Sequence, residues 1–371
     1  MADLFDYLDW RGDLSFESVP FGKIDALILS QLSYLKFNGL VPQSIKLSDA
    51  ITLSDLDKIF KAAPDYDFRV DLGPGINERT AELLAKAASC ERFKNVRILG
   101  FCEKIDEQNV EQFAAMVFVF GKTSVITFRG TDETIVGWKE DCNIACVPEI
   151  LSQRDASAYC QMAFDSLKTD FIICGHSKGG NLAINSAVKC GAKSQKKISA
   201  IYNFDGPGFS KAFFESPDFC AIENRLVNVY PSGSIVGMIF CHPQNYEIIK
   251  ANRVGAMQHD PCCWQILGNN FVHKKDFSKE SQFFYNSVNN WIDRMSSEEK
   301  QTFVNSIFEV IEASGFKTIT EFYDNPVMAS AKIIKKLASM DKTTRDDIKR
   351  VMHNFRICVK EEIPFLQIFD R

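Results

Sequence analysis

The run FIICGHSKGGNLAIN, residues 171–185, sets a serine between two glycines where a short apolar stretch stops and a helical alternation begins. Gly175, Ser177 and Gly179 fit Gly-x-Ser-x-Gly, in the strand–turn–helix setting that the pattern requires of a nucleophilic serine. The residue types suit that chemistry. Glycines leave room for a strained turn that lifts the hydroxyl out of the sheet, and Gly180 lets the new helix pack close to the strand. A backbone N–H at the helix N-terminus then faces the negative charge that develops on an attacked carbonyl. The competing reading is a glycine-rich strand-to-helix turn with an idle serine.

A serine hydroxyl at its ordinary pKa is a weak nucleophile and needs a base. The sequence has five histidines, at 176, 242, 259, 273 and 353. His176 adjoins the serine; its side chain is expected to leave the turn in another direction and to pack or hydrogen-bond beneath it. His353 falls in the C-terminal helical region. The other three follow the serine, as the chain order serine, acid, histidine demands. His259 ranks first, because GAMQHDPCCW is a turn-rich segment able to lie over the serine; His242 ranks second and His273 third.

The acid is sought among Asp205, Glu215, Asp218, Glu223 and Glu247. Asp205 ends the strand pattern ISAIYNFD and precedes Gly-Pro-Gly, which puts it at a strand C-terminal end, where sites of open α/β sheets gather. Its other reading is a turn former. Asp260 is expected to cap the turn after His259. A second oxyanion donor is expected at the end of TSVITFRGT, where Thr131 offers a backbone N–H and a hydroxyl. Arg129 reads as structural, with Asp141 as its ion-pair partner.

The elements that must position these groups are legible in outline. KIDALILSQLSYLKF reads as a helix, and residues 44–95 as helical and polar-faced, with starts at Ser54-Asp55 and Asn77-Glu78 and the loop DLGPG at 71–75. NVRILGFCEKI, AAMVFVFG and TSVITFRG read as strands, the last two joined at Gly121-Lys122. A helix over SQRDASAYCQMAFDSLK, the strand DFIICG, the helix GGNLAINSAVKC and the strands ISAIYNFDG, LVNVYP and YEIIKAN follow. The alternation of apolar strands with helices predicts an α/β fold with a mostly parallel sheet buried on both faces. From Ser296, where Ser296 and Glu299 form a capping-box pattern, only helix is expected. The expected division is a helical N-terminal segment packed on the core (1–95), an α/β core (96–290) and a helical C-terminal appendage (291–371). The helices of 44–90 are a candidate lid.

Composition narrows the function. The chain has 371 residues, 46% hydrophobic and 25% charged, with net charge −5. Its basic residues are scattered, which excludes a nucleic-acid partner. The strongest apolar stretch, 113–128, is broken at Gly121-Lys122, so no integral membrane segment is expected. MADLFDYLDWRGDLSFESVPF carries acids where a secretory signal carries basic residues, and a cytoplasmic protein is expected. The twelve cysteines are irregularly spaced and read as reduced, mostly buried thiols. Cys142 with Cys146, and Cys262 with Cys263, lack the further ligands a zinc site needs, so neither metal nor cofactor is expected. FGKTS is not a P-loop, because Met116 stands where that motif has its first glycine.

FRGT followed by GWKED, GHSKGG and a strand ending in Gly-Pro resembles the class 3 lipase family of α/β-hydrolases over roughly residues 95–275. DYLDWRGDLSF, LILSQLSYL, YNFDGPGF, SIVGM and QHDPCCWQ are similar to a bacterial lipase-like branch of that superfamily, over most of the chain. The resemblance implies an α/β-hydrolase fold with the nucleophile on Ser177, the base on His259 and oxyanion donors on Thr131 and the Lys178 backbone. The acid departs from the family pattern: class 3 lipases carry it after the next strand, where YPSGSIVGM has Ser234, so either Asp205 takes the role or the triad is incomplete. Lys178 replaces an apolar residue and reads as a cation for a negatively charged acyl or leaving group, or as a solvated or salt-bridged side chain. The expected function is a serine hydrolase cleaving a carboxylic ester or thioester of a small or lipid-like acyl substrate. The alternative is a catalytically inactive hydrolase-fold protein that binds a ligand or partner.

Overall fold

The computed structural model describes residues 2–73 and 76–368; Gly75 and Pro74 of the expected 71–75 loop lie outside them. Eight strands pair in strict chain order: β1 (Ile51–Thr52), β2 (Arg97–Asp106), β3 (Glu111–Phe120), β4 (Thr123–Phe128), β5 (Asp170–His176), β6 (Ile198–Phe204), β7 (Leu226–Pro231) and β8 (Glu247–Ile249). The pairings from β1 to β4 are antiparallel and those from β4 to β8 are parallel. The β3–β4 connection is the tight turn at Gly121-Lys122, with Gly121 at φ +52°.

Side-chain alternation assigns the two faces of the sheet. Met116 and Phe118 of β3 join one apolar cluster, and Val117 and Val119 join the other. Seven helices bear on the site: α1 (Lys23–Leu32), α2 (Ile135–Asn143), α3 (Leu151–Ser166), α4 (Lys178–Lys189), α5 (Lys279–Asp293), α6 (Ser297–Glu312) and α7 (Lys342–Ile368). α1 is buried from Ile24 to Leu32 and lies on β4, β5 and β6 with the rest of the N-terminal helices. α3 and α4 cover the opposite face. This is an α/β-hydrolase-type sheet flanked by helices, with helical regions at both ends. One detail differs from the sequence reading: residues 44–95 also supply β1, a strand at the sheet edge too short to show period-2 alternation, beside the helices that pack on a sheet face.

The N-terminal region is tied down by a buried ion pair. Arg92 donates twice to Asp25 at 2.7 Å and also to the carbonyls of Leu14, Val19 and Pro20. At the other end, Ser296 and Glu299 form the reciprocal capping box that opens α6. α5 packs along α7, with the Trp291 indole donating to the Val351 carbonyl at 3.1 Å, so the expected boundary at 290/291 falls within a helix.

All twelve cysteines are free thiols, and four of them (Cys160, Cys174, Cys263 and Cys358) are buried, fewer than the apolar runs suggested. Among the described residues, no helix is long and apolar enough to cross a membrane.

Candidate active site

The turn from β5 into α4 holds Ser177 at φ +58°, ψ −134°, a conformation that costs a non-glycine residue about 1–3 kcal/mol and persists only when its surroundings enforce it. The enforcement is visible. The Ser177 N–H donates to the Phe204 carbonyl at the end of β6, and the Gly180 N–H closes the turn on the Ser177 carbonyl, both at 2.9 Å. A Cβ on Gly175 would stand 2.2 Å from the Gly179 backbone, and one on Gly179 would stand 2.1 Å from the Phe128 carbonyl. The motif glycines are therefore required by strand–helix contact. Lys178 is the first residue of α4, so its N–H has no intrahelical acceptor.

Asp205 follows β6 and is itself at φ +52°, a region that Asp and Asn enter more readily than most residues. Its carboxylate is fully buried. Oδ2 accepts from His259 Nδ1 at 2.7 Å, and Oδ1 accepts from the Ser234 hydroxyl at 2.5 Å. Ser234, at the position where the resembled pattern has an aspartate, is thus bonded to the aspartate one strand earlier. His259 ends a short 3₁₀ turn, Gly255–His259, and the Asp260 side chain accepts from the Cys262 N–H to start the next. With Nδ1 committed to Asp205, the imidazole keeps Nε2 free of hydrogen bonds among the described residues.

His176 sits beneath this group. Its Nε2–H donates to the His259 carbonyl at 2.8 Å, which leaves Nδ1 to accept from the Tyr34 hydroxyl at 3.0 Å. The His176 and His259 rings lie 4.4 Å apart. Burial, helped by the neighbouring His259, holds His176 well below the ordinary histidine range, so it is a neutral brace for the His259 backbone. Tyr34 was not singled out in the sequence, since one tyrosine in an apolar helical run carries no local sign of a partner 142 residues away.

Of the two sequence readings of Lys178 the salt-bridged one holds, and Asp141 differs from its reading. Lys178 points into the protein and is 1% exposed. Its ammonium donates to the Gln112 carbonyl (2.9 Å), the Gln112 side chain (2.6 Å) and Glu140 (3.0 Å), with Asp141 at 3.6 Å. Burial alone would lower its pKa, but the Glu140 and Asp141 carboxylates outweigh that and hold it raised. A cation so neutralised is not a receptor for a charged substrate. Arg129 pairs with Glu103 (2.6 Å) and Asp132 (3.3 Å), not with Asp141. Asp141 instead accepts from the Thr131 hydroxyl and faces Lys178. Thr131 has therefore already spent its only O–H, and its backbone N–H is what it can offer to an oxyanion.

Two of the candidate bases lie elsewhere. His273 is half-exposed, 3.7 Å from Glu247. His242 lies between Tyr230 and Tyr285, ring centroids at 5.3 and 5.7 Å, with both ring nitrogens buried and lacking a hydrogen-bond partner among the described residues. Burial pushes its pKa from 6.5 down to about 4, against the pull of Asp205. As pH falls through that window the unfolded chain takes up a proton that the folded protein refuses, so stability is lost. Between pH 7 and pH 5 the loss is on the order of 2 kcal/mol. His242→Phe is expected to flatten this acid response, read from urea midpoints at the two pH values; an equal acid shift in the variant would exonerate His242.

Ser177, His259, Thr131 and Lys178 line one cavity of about 410 Å³. Its wall is mainly apolar and is built by α2, α5, α6 and the α5–α6 link, through Trp138, Trp291, Ile292, Met295, Phe303 and Val304. Of residues 44–90, only Ile76 reaches it among those described, so the candidate lid gives way to the C-terminal helices. The same region braces the Thr131 loop. The Ile319 N–H donates to the Glu133 carbonyl and the Ile135 N–H to the Lys317 carbonyl, both at 2.9 Å, and the Thr320 hydroxyl donates to Glu133 Oε2 at 2.7 Å.

A strained serine turn between a parallel strand and a helix, on a sheet of this order, marks the α/β-hydrolase type. The chain belongs to the Mbeg1-like family, whose model matches residues 87–309, a span that includes β2 to β8 and reaches into α6. Among solved structures it is similar to the M37 lipase, with 15% identity, a TM-score of 0.33 and coverage of 57% of this chain and 68% of that one. It is also similar to Rhizomucor miehei lipase in its propeptide complex, with 15% identity, a TM-score of 0.35 and coverage of 60% and 83%. No curated protein matches the chain.

Proposed function

We propose that this protein is a serine hydrolase that cleaves a carboxylic ester or thioester through an acyl-enzyme. The observation that carries the reading is that Ser177, strained at the head of α4, and His259, paired to Asp205, open on one cavity. Ser177 Oγ attacks the carbonyl carbon while His259 Nε2 takes its proton, and Asp205 orients the ring and stabilises the imidazolium. The backbone N–H groups of Lys178 and Thr131 receive the oxyanion. His259 then protonates the departing alcohol or thiol, and water, activated by the same ring, releases the acid. The apolar wall suits the acyl part of the substrate. Twelve free thiols suit a reducing compartment, and the cytoplasm is the proposed location.

The test is labelling with a fluorescent fluorophosphonate, followed by peptide mapping. The label is expected on Ser177 and is expected to vanish in Ser177→Ala. A folded wild-type protein that takes no label, or one labelled elsewhere, would instead favour a ligand-binding protein on a hydrolase frame.

A further inference from the structure

Each acid lining the cavity faces a cation of the protein, whereas one lining cation faces no acid among the described residues. Asp132 faces Arg129 at 3.3 Å, Lys178 is held by Glu140 at 3.0 Å, and Asp141 is shared between Thr131 and Lys178. Lys300 also lines the cavity and is half-buried, yet its ammonium has no ion pair and no hydrogen bond among the described residues. It stands three and four residues before Phe303 and Val304, so all three share the face of α6 that walls the cavity. The adjacent acid Glu299 is occupied elsewhere, with Arg350 and the Ser296 N–H. The Cys146 thiol, which feels the Lys300 charge, offers no counter-charge either. Burial pushes the Cys146 thiol up to about 11 against the pull of Lys300, so this cavity-lining side chain is neutral at physiological pH.

An unmatched ammonium in a mainly apolar wall attracts an anion more strongly than it would in water. We propose that Lys300 binds an anionic group, a carboxylate or phosphate, carried by the substrate, whose apolar part lies against Trp138, Trp291 and Phe303. The substrate class is then an acidic amphiphile, not a neutral fat. This deepens the ester-hydrolase reading and rests on it for the word substrate, while the binding itself is measurable without turnover.

Trp138 and Trp291 line the cavity, so tryptophan fluorescence reports its occupancy. The wild-type protein is titrated below micellar concentrations with decanol, decanoate and decyl phosphate, beside Lys300→Met, Lys300→Glu and Lys300→Arg. One or both anions are expected to bind on the order of 10- to 100-fold tighter than decanol, as for a charge-assisted hydrogen bond. The preference is expected to fall to about twofold or less in Lys300→Met, to reverse in Lys300→Glu and to persist in Lys300→Arg. Affinities for anions and decanol within about twofold in wild type, or an anion preference that survives in Lys300→Met, would overturn the proposal. Labelling at Ser177 separates the two readings. A labelled protein without anion preference loses only this inference, and an unlabelled one with the preference loses only the hydrolase.

Discussion

Asp205→Asn is expected to lower kcat/KM for an activated ester, and the rate of fluorophosphonate labelling, about ten-thousand-fold. The backbone argument makes this substitution the informative one. Asp205 sits at φ +52°, where alanine would add strain, whereas asparagine accepts the same conformation. The Ser234 hydroxyl can still donate to the remaining carbonyl oxygen, so that side of the buried group stays satisfied. What changes is the atom 2.7 Å from His259 Nδ1. An amide nitrogen there donates instead of accepting, which selects the tautomer with its proton on Nε2 and removes the base from Ser177. The negative charge that would stabilise the imidazolium is lost as well. Melting temperature should move little, and this keeps the kinetic result interpretable. A rate loss below about tenfold in a folded variant would take Asp205 out of the mechanism.

Lys178→Met is expected to destabilise the fold by about 3–5 kcal/mol, the typical result of removing one partner from a buried ion pair. Glu140 is 0% exposed, and besides Lys178 it accepts, among the described residues, only the Gln112 and Ser152 N–H groups, at 3.1 and 3.0 Å. The cluster joins β3, α2, the start of α3 and the serine turn, so its loss also loosens Asp141 and the Thr131 loop. Because the folded-state pKa is raised above its ordinary 10.5, this contribution is complete below pH 10.5 and fades only at higher pH. Urea unfolding at neutral pH measures it. Adding Glu140→Gln to Lys178→Met removes the orphaned charge and is expected to recover more than half of the loss. A double variant as unstable as the single one would mean that the methylene stem of Lys178, not its charge, holds the turn.

The sequence made the frame legible wherever local chemistry was strong. Strand–GHSKGG–helix and the 113–128 hairpin can be read from glycine placement and apolar runs alone, and of the residues chosen from strand ends and a turn-rich loop, Ser177 and His259 line one cavity while Asp205 is bonded to His259. What stayed hidden depends on direction across long separations. A lysine at the first position of a helix can point out or in, and nothing near Lys178 announces Gln112, 66 residues earlier. Asp141 is ten residues from Thr131 and was matched by charge to Arg129, although a hydroxyl and a buried ammonium claim it. The amphipathic patterns of α5 and α6 show that one face is covered but not what it covers. Residues 44–90 therefore seemed as good a roof as any.

The brace between the Thr131 loop and residues 317–320, and the wall made by α5 and α6, set an order of events during synthesis. Ser177, Asp205 and His259 are all translated before the apolar wall of the cavity is complete. At roughly 5–20 residues per second, the interval between His259 and the end of α6 at Glu312 lasts about 3–10 s. A nascent chain in that interval carries Ser177 on an unwalled sheet. A chain halted before α6 would therefore hold Ser177 without the wall of its pocket.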